Sequence, residues 1–559
     1  MIKIKLKLRG VEMKNRKLLS LAIASVTAAA CMLTIAFDAV AASKSKGQQR
    51  YIVKYKDGQA PGAKAALKKA GGKIEKDLHR HSAVAITLPS GKLAALLKND
   101  KIEYVEIDEL RSPGPITRSG ASGADVFDDD GTPPGEVRPY GVAMVQAEGM
   151  VGNTNSGIKV CVIDSGYDIN HEDKPIGPVV TGTDDLGGSG PWDEDGSGHG
   201  SHVSGTINAL DNDIGVIGVF PSVPMHIVRV FGDDGVWAYS SELVDALDDC
   251  MDNGAQIVSM SLGAGWPTRL ENAAFRKAEK AGVLSIAAAG NDADWSKPGF
   301  DRMHYPSSYH SVMSVAAVDH EGYLADFSQR NTTVEIAAPG VAVLSTVPTD
   351  SMYKVTLDVD TKGSFDAVPM DNFDIPAVPV GGLLVNCGLA ETAADCGGAE
   401  AGFTCLIERG GFSFAQKAVS CETAGGAAAA VYQRDGVDGP VYGTLGDTYV
   451  GIPVVGMARV DGLDLLDNAL GLESLVNFAL TGYDYDYFNG TSMATPHVSG
   501  VAALVWSTHP TCTNVEIRNA LNATAMDLGP SGPDHYFGNG LVQAQAASDF
   551  LDANPCSDN

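Results

Sequence analysis

An α/β fold with a mostly parallel sheet and helices on both faces is predicted from residue 136 onward, and three observations predict it. Apolar runs of strand length alternate with helical stretches: Ile158–Ile163, His199–Ala209, Met225–Val230, Ser241–Met251, Ala255–Met260, Leu270–Ala281 and Val283–Ala288. The strand runs are apolar at nearly every position, as in a sheet covered on both faces. Asp164 and Asn291 follow directly on such runs, at strand carboxyl ends, where open α/β sheets collect ligands. At 559 residues the chain exceeds one ordinary core, so further domains are expected.

Taken in order, residues 1–41 read as an export signal. Lys14, Arg16 and Lys17 precede an apolar, Ala-rich run from Leu18 to Phe37, and Ala39-Val40-Ala41 offers small residues for cleavage. The cleavage site favours removal over retention as a membrane anchor. Residues 45–110 predict a small α+β unit. Its strands begin at Tyr51, Ala83 and Ile102, and its helices span Ala63–Ala70 and Leu93–Leu97. Residues 111–135, rich in Ser, Gly, Pro and Asp, read as an exposed linker where a maturation cut is expected.

Charge is divided unevenly. Residues 1–111 carry 22 Lys and Arg against 10 Asp and Glu, and the remainder carries 19 against 59, for a net charge of −28. A basic front and an acidic body attract each other, which suits a leading segment that binds the rest and is later removed. The acidic body lacks the clustered cations that phosphate binding needs, so no nucleic-acid partner is expected. Apart from Cys31, eight cysteines remain, an even number that points to disulfides in an exported chain. Spacing suggests Cys387–Cys396, Cys405–Cys421 and Cys512–Cys556. Cys161 and Cys250 are left either to pair or to remain buried thiols.

Three short motifs carry chemistry. Asp164 lies in Val-Ile-Asp-Ser-Gly, His199 in Gly-His-Gly-Ser-His, and Ser492 in Asn-Gly-Thr-Ser-Met-Ala-Thr-Pro-His. A serine hydroxyl needs an imidazole to take its proton, and the imidazole needs a carboxylate to fix its tautomer and stabilise its cation. The His199-x-x-His202 run lacks the spacing and the Glu of a zinc-protease helix, so His202 and His497 read as packing residues.

These motifs, in the order Asp, His, Ser, resemble those of the subtilases, the subtilisin-like serine proteases. The resemblance runs from about Glu136 to Ala547, apart from one insertion. It implies a nucleophile at Ser492, a general base at His199, an orienting carboxylate at Asp164 and an oxyanion donor at Asn291. It implies a peptide-binding edge at Ser259, Ser261, Leu262 and Gly263, flanked on the other side by residues 232–239. Ala288, Ala289 and Gly290 would wall the first specificity pocket, with His304 near its base, where many relatives carry Gly. Broad cleavage after apolar or aromatic residues is expected. The loop Leu210, Asn212, Ile214 and Val216, with Asp173 and Glu136, resembles the family's calcium site and supplies the oxygens a structural calcium ion wants.

Residues 45–110 then resemble a subtilase propeptide, an intramolecular inhibitor and folding aid. Residues 350–482, inserted between catalytic parts 136–349 and 483–559, resemble a β-rich protease-associated domain through their Arg-Gly…Phe…Lys…Ala-Gly-Gly-Ala pattern. The expectation is a secreted, monomeric serine endopeptidase made as a zymogen. It acts on proteins and peptides, with calcium as its one cofactor and no membrane contact after signal cleavage. The alternatives are a selective maturation protease and an inactive binding protein that uses the insertion. Intact Asp164, His199, Asn291 and Ser492 speak against the last.

Overall fold

The computed structural model describes residues 48–556, apart from 114–116, 119–134, 185–188, 233–237, 294–299, 349–352, 371–374, 398–399, 436–439, 442–444, 446–447 and 481–483. The expected signal segment and Cys31, and most of the expected linker, lie outside the described residues.

The catalytic region is a seven-stranded sheet. Its order is Val334–Pro339, Val312–Val318, Leu284–Ala288, Ile257–Met260, Val160–Asp164, Met225–Arg229 and Val180–Thr183. Every neighbouring pair is parallel. Five of these strands are buried along their whole length, which explains why their sequences do not alternate. Helices His199–Asn208 and Thr491–Thr508 pack together over one face with a core that includes Val203, Ile207, Val498, Val501 and Val505. Thr491 to Ser507 are all buried, which accounts for the run of small and apolar residues in that helix. Helices Ser240–Asp252 and Arg269–Lys280 cover the other face, and a Cys161–Cys250 disulfide ties the central strand to the first of them.

The leading unit is a four-stranded antiparallel sheet in the order Lys73–Leu78, Ala83–Pro89, Gln48–Tyr55, Ile102–Ile107, with helix Ala60–Lys69 on its own small core. The strand Lys73–Leu78 had no counterpart in the sequence reading. Its other face lies on the helices of the catalytic region, where Ile52, Leu78 and Ala83 join the core around Leu243 and Leu247. The charge asymmetry finds its partners here. Lys76 pairs with Asp245, Arg80 with Asp252, and His81 contacts Asp248, all on the acidic helix Ser240–Asp252. Two carboxylates of this unit cap catalytic helices. Glu106 accepts the backbone N–H groups of Arg269 (2.9 Å) and Leu270 (3.0 Å), and Asp108 accepts that of Ser241 (2.9 Å). Helix N-termini leave such donors unsatisfied and favour negative charge, so each contact serves both needs.

The insertion closes into a seven-stranded barrel running from Tyr353 to Leu480. The Cys387–Cys396 and Cys405–Cys421 disulfides lie within it, and Cys512–Cys556 staples the C-terminal helices. The barrel is entered from strand Val343–Thr346 and left through strand Tyr485–Asn489, which pair with each other antiparallel. Among the described residues, no helix is long and apolar enough to cross a membrane.

Candidate active site

Asp164 ends the central strand and His199 begins a buried helix, and the two meet. The Nδ1 of His199 donates to Oδ1 of Asp164 at 2.8 Å, and both side chains are fully buried. Close approach here requires Gly200, because a Cβ at that position would come within 2.3 Å of the Gly166 carbonyl. With the ring proton held at Nδ1, the other nitrogen is a bare acceptor, and Nε2 has no hydrogen-bond partner. Burial pulls the imidazole pKa down. Charge and hydrogen bonding from Asp164 outweigh that effect, and the net shift is upward. His202 and His497 behave differently. They donate to the carbonyls of Val343 (2.9 Å) and Met493 (2.8 Å), and burial pushes them down to about 3 and about 4, so both stay neutral.

Ser492 lies in the first turn of its helix, directly after Gly490 and Thr491. Its hydroxyl donates to the Ser261 carbonyl at 3.3 Å, and the Ser261 hydroxyl donates back to the Ser492 carbonyl at 2.7 Å. No bond joins Ser492 to His199 in this conformation. Asn291, three residues past a strand end, accepts the Thr491 backbone N–H (2.9 Å) and hydroxyl (2.8 Å) through Oδ1. A backbone N–H can only donate, so this contact fixes the amide orientation and turns Nδ2 the other way. A Cβ placed on Gly490 would sit 3.4 Å from that Nδ2 and 3.5 Å from the Ser492 nitrogen. Two N–H donors therefore border one small space, which stays open because residue 490 is glycine.

The expected peptide-binding edges are occupied by the chain's own leading segment. Leu110–Pro113 forms a strand between Ala238–Tyr239 and Leu262–Gly263, with Pro113 opposite Leu262, Ser112 opposite Gly263 and Arg111 opposite Ala238. Thr117–Arg118 then pairs with Phe488–Asn489, just ahead of Ser492. The chain thus flanks Ser492 on both sides in an extended form. Ala288, Ala289 and Gly290 are buried nearby, and Gly290 donates to the Thr491 hydroxyl at 3.2 Å. His304 donates to the Ala288 carbonyl at 3.2 Å, packs against Gly263 and Gly290, and is pushed down to about 4 by burial. Gln329 completes this wall and was missed in the sequence. Its Oε1 is buried without a partner, where a Cβ on Gly290 would meet it. Ser259 is corrected as a substrate contact. It lies inside the sheet, paired with Val162 on one side and Ile286 on the other, and its hydroxyl accepts from Ser499. No edge is left there for a peptide.

The expected calcium ligands gather around one loop. Glu136 accepts the N–H groups of Asn212 (2.8 Å) and Asp213 (3.2 Å), Asn212 accepts that of Ile214 (3.1 Å), and Asp173 Oδ2 accepts that of Val216 (2.7 Å). The Leu210 N–H donates to the Asp173 carbonyl. Asp173 Oδ1 is buried with no partner, and burial first, then the charges of Glu136 and Glu172, push this carboxyl up to about 7. An orphaned carboxylate oxygen among other oxygens is the environment a hard cation relieves.

A buried Asp–His pair at the carboxyl edge of a parallel sheet, beside a serine at a helix N-terminus and converging N–H donors, defines a serine-hydrolase type of site. The chain belongs to the subtilase family: that family's pattern matches residues 155–366 and 470–540. A protease-associated (PA) domain matches residues 376–465, and the fervidolysin N-terminal prodomain matches residues 38–108. The chain is similar to subtilisin E of Bacillus subtilis (strain 168), at 27% identity over 547 residues, covering 96% of this chain and all of that one. Subtilisin BL of Lederbergia lenta is 29% identical over 412 residues, 73% of this chain and 98% of its own. Among solved structures, the psychrophilic subtilisin-like protease of the Antarctic psychrotroph Pseudoalteromonas sp. AS-11 is 39% identical with a TM-score of 0.51, covering 75% of this chain and 98% of its own. Fervidolysin of Fervidobacterium pennivorans, described as a keratinolytic enzyme related to subtilisin, shares the fold at 22% identity and a TM-score of 0.54, over 91% of this chain and 62% of its own. The chain is therefore a subtilisin-family serine peptidase with a prodomain and a PA domain.

Proposed function

We propose that this chain is the precursor of a secreted endopeptidase that hydrolyses proteins through an acyl-enzyme on Ser492. The observation that carries the reading is the bare, buried Nε2 of His199, held in that tautomer by Asp164. Rotation of the Ser492 hydroxyl away from the Ser261 carbonyl brings its proton to Nε2, and the oxygen attacks the peptide carbonyl. The resulting oxyanion takes the Ser492 N–H and Asn291 Nδ2, the two donors that border the space beside Gly490. The imidazolium, stabilised by Asp164, then protonates the leaving amine. Water activated at the same nitrogen releases the acyl group.

Leu110–Pro113 lies along the edges Leu262–Gly263 and Ala238–Tyr239 as a substrate strand would, which supports a role for the leading unit as intramolecular inhibitor. Four disulfides fit an oxidising compartment, in line with export. Calcium fits the Glu136, Asp173 and 210–216 cluster, where its charge would bind the loop to the body of the protein and offset the buried Asp173 carboxylate. Fluorophosphonate labelling of the processed protein tests the whole reading. Label on Ser492, lost in Ser492→Ala, is expected; absence of label on a folded, processed protein overturns it.

A further inference from the structure

Arg111 is fully buried, in a place where the sequence offers no core of its own. Its backbone belongs to the strand that lies between the two peptide-binding edges, directly before Ser112 opposite Gly263. Its side chain enters the catalytic region. Nε and Nη2 donate to the two carboxylate oxygens of Glu271 at 2.9 and 2.7 Å, Nη2 also donates to the Trp266 carbonyl at 3.0 Å, and Nη1 donates to the Leu110 carbonyl at 2.8 Å. Glu271 is equally buried, sits in the first turn of helix Arg269–Lys280, and accepts a further bond from the Tyr309 hydroxyl at 2.6 Å. The Tyr309 hydroxyl in turn accepts the Thr268 N–H at 2.8 Å, which fixes the carboxylate from behind.

We propose that Glu271 is a specificity-determining residue and that its pocket selects substrates with an arginine upstream of the scissile bond, at the position Arg111 holds relative to Ser112 and Pro113. The inference rests on the protease reading above and adds a substrate class to it. Once the leading segment departs, Glu271 remains at the base of a pocket shaped by a guanidinium. An apolar side chain entering there would leave a desolvated carboxylate unpaired, and a lysine would offer a point charge in place of a planar fork. The other Lys and Arg pairs across this boundary are less completely buried, from Arg50–Glu242 to the largely exposed Arg80–Asp252, and none starts from the strand that lies between the two edges. Among the described residues of the leading segment, Arg111 alone combines substrate-like backbone pairing with complete burial of a bidentate charge pair. The pocket narrows the broad apolar preference expected from sequence, which concerns the residue next to the scissile bond.

The test uses enzyme processed from the full chain and the peptide acetyl-Leu-Arg-Ser-Pro-Phe-4-nitroanilide, which carries residues 110–113 ahead of an apolar residue. Its counterparts replace Arg by Leu, Lys or citrulline, the last a neutral analogue of the same shape. Wild-type enzyme is expected to favour Arg over Leu and citrulline by about 100-fold in kcat/KM, the scale set by leaving one member of a buried charge pair alone. Glu271→Gln is expected to collapse the Arg-to-citrulline ratio to within about threefold. Equal turnover of the Arg, Leu and citrulline peptides by the wild-type enzyme overturns the proposal, as does an arginine preference that survives in Glu271→Gln. If that variant does not fold, the citrulline comparison in the wild-type enzyme decides alone. Failure of every peptide together with failure of fluorophosphonate labelling would condemn the protease reading instead.

Discussion

Replacing Asn291 by alanine removes two different things, and the structure separates them. Its Nδ2 is one of two donors facing the space beside Gly490, and its Oδ1 accepts both the backbone N–H and the hydroxyl of Thr491. Loss of the donor acts where negative charge develops, so it should lower kcat by about 10²–10³-fold with little change in KM; that scale is the one known for subtilisin itself, a member of this family. Loss of the acceptor leaves two donors of the fully buried Thr491 unpaired, at about 1–3 kcal/mol each, which lowers Tm by several degrees. Asn291→Asp distinguishes the effects. It keeps the Thr491 bonds and the stability but puts an acceptor where the donor was, so kcat falls at least as far. The assay is steady-state turnover of a peptide anilide, with maturation completed by immobilised wild-type enzyme that is then removed. A kcat within threefold of wild type, or a loss carried wholly by KM, would refute the oxyanion assignment.

Three further outcomes are expected. Because Asp164 raises the His199 pKa and the base must be neutral, kcat/KM should fall as pH drops through a value above the ordinary 6.5. Asp164→Asn leaves burial unopposed, so the limb should move to lower pH while the rate falls by about 10⁴-fold; a stationary limb in the pH profile counts against the pair. EDTA should lower the Tm of the wild-type protein by about 5–10 °C, the scale of a ligand held at 100 times its Kd. Asp173→Asn should make Tm indifferent to EDTA, and an unchanged EDTA response in that variant removes the site. In a full chain locked by Ser492→Ala, Asp108→Ala strips the cap from helix Ser240–Asp252 and one of two carboxylate partners from Arg50. A loss of about 2 kcal/mol in denaturant unfolding is expected, and none would be seen if the cap were idle.

Much of this was legible because the chemistry sits in contiguous motifs. Ser492 is bracketed by residues that each have a local reason, Gly490 for the open space and Thr491 for the Asn291 contact, so nine letters announced the site. The parallel strands were equally local. Three disulfides followed from spacing, whereas Cys161 and Cys250 meet only because a strand and a helix pack together. What stayed hidden depends on partners far apart in the chain. Nothing local marks Glu106 or Asp108, whose roles depend on the starts of two helices more than 130 residues away. Arg111 seemed to open a linker, because Glu271 lies 160 residues away. Ser259 was misread for a subtler reason. It shares its strand's sequence with the edge three residues later, but the chain leaves the sheet only after Met260, so Leu262 and Gly263 pair with Leu110–Pro113 and Ser259 does not.

The barrel hangs on two adjacent strands, Val343–Thr346 and Tyr485–Asn489, whose register runs from Val343 opposite Phe488 to Thr346 opposite Tyr485. To the protease beneath, the entire appendage is topologically a hairpin tip. Its gain or loss leaves the ladder in register, so a turn can be exchanged for a whole module without shifting Ser492, four residues past the ladder's end.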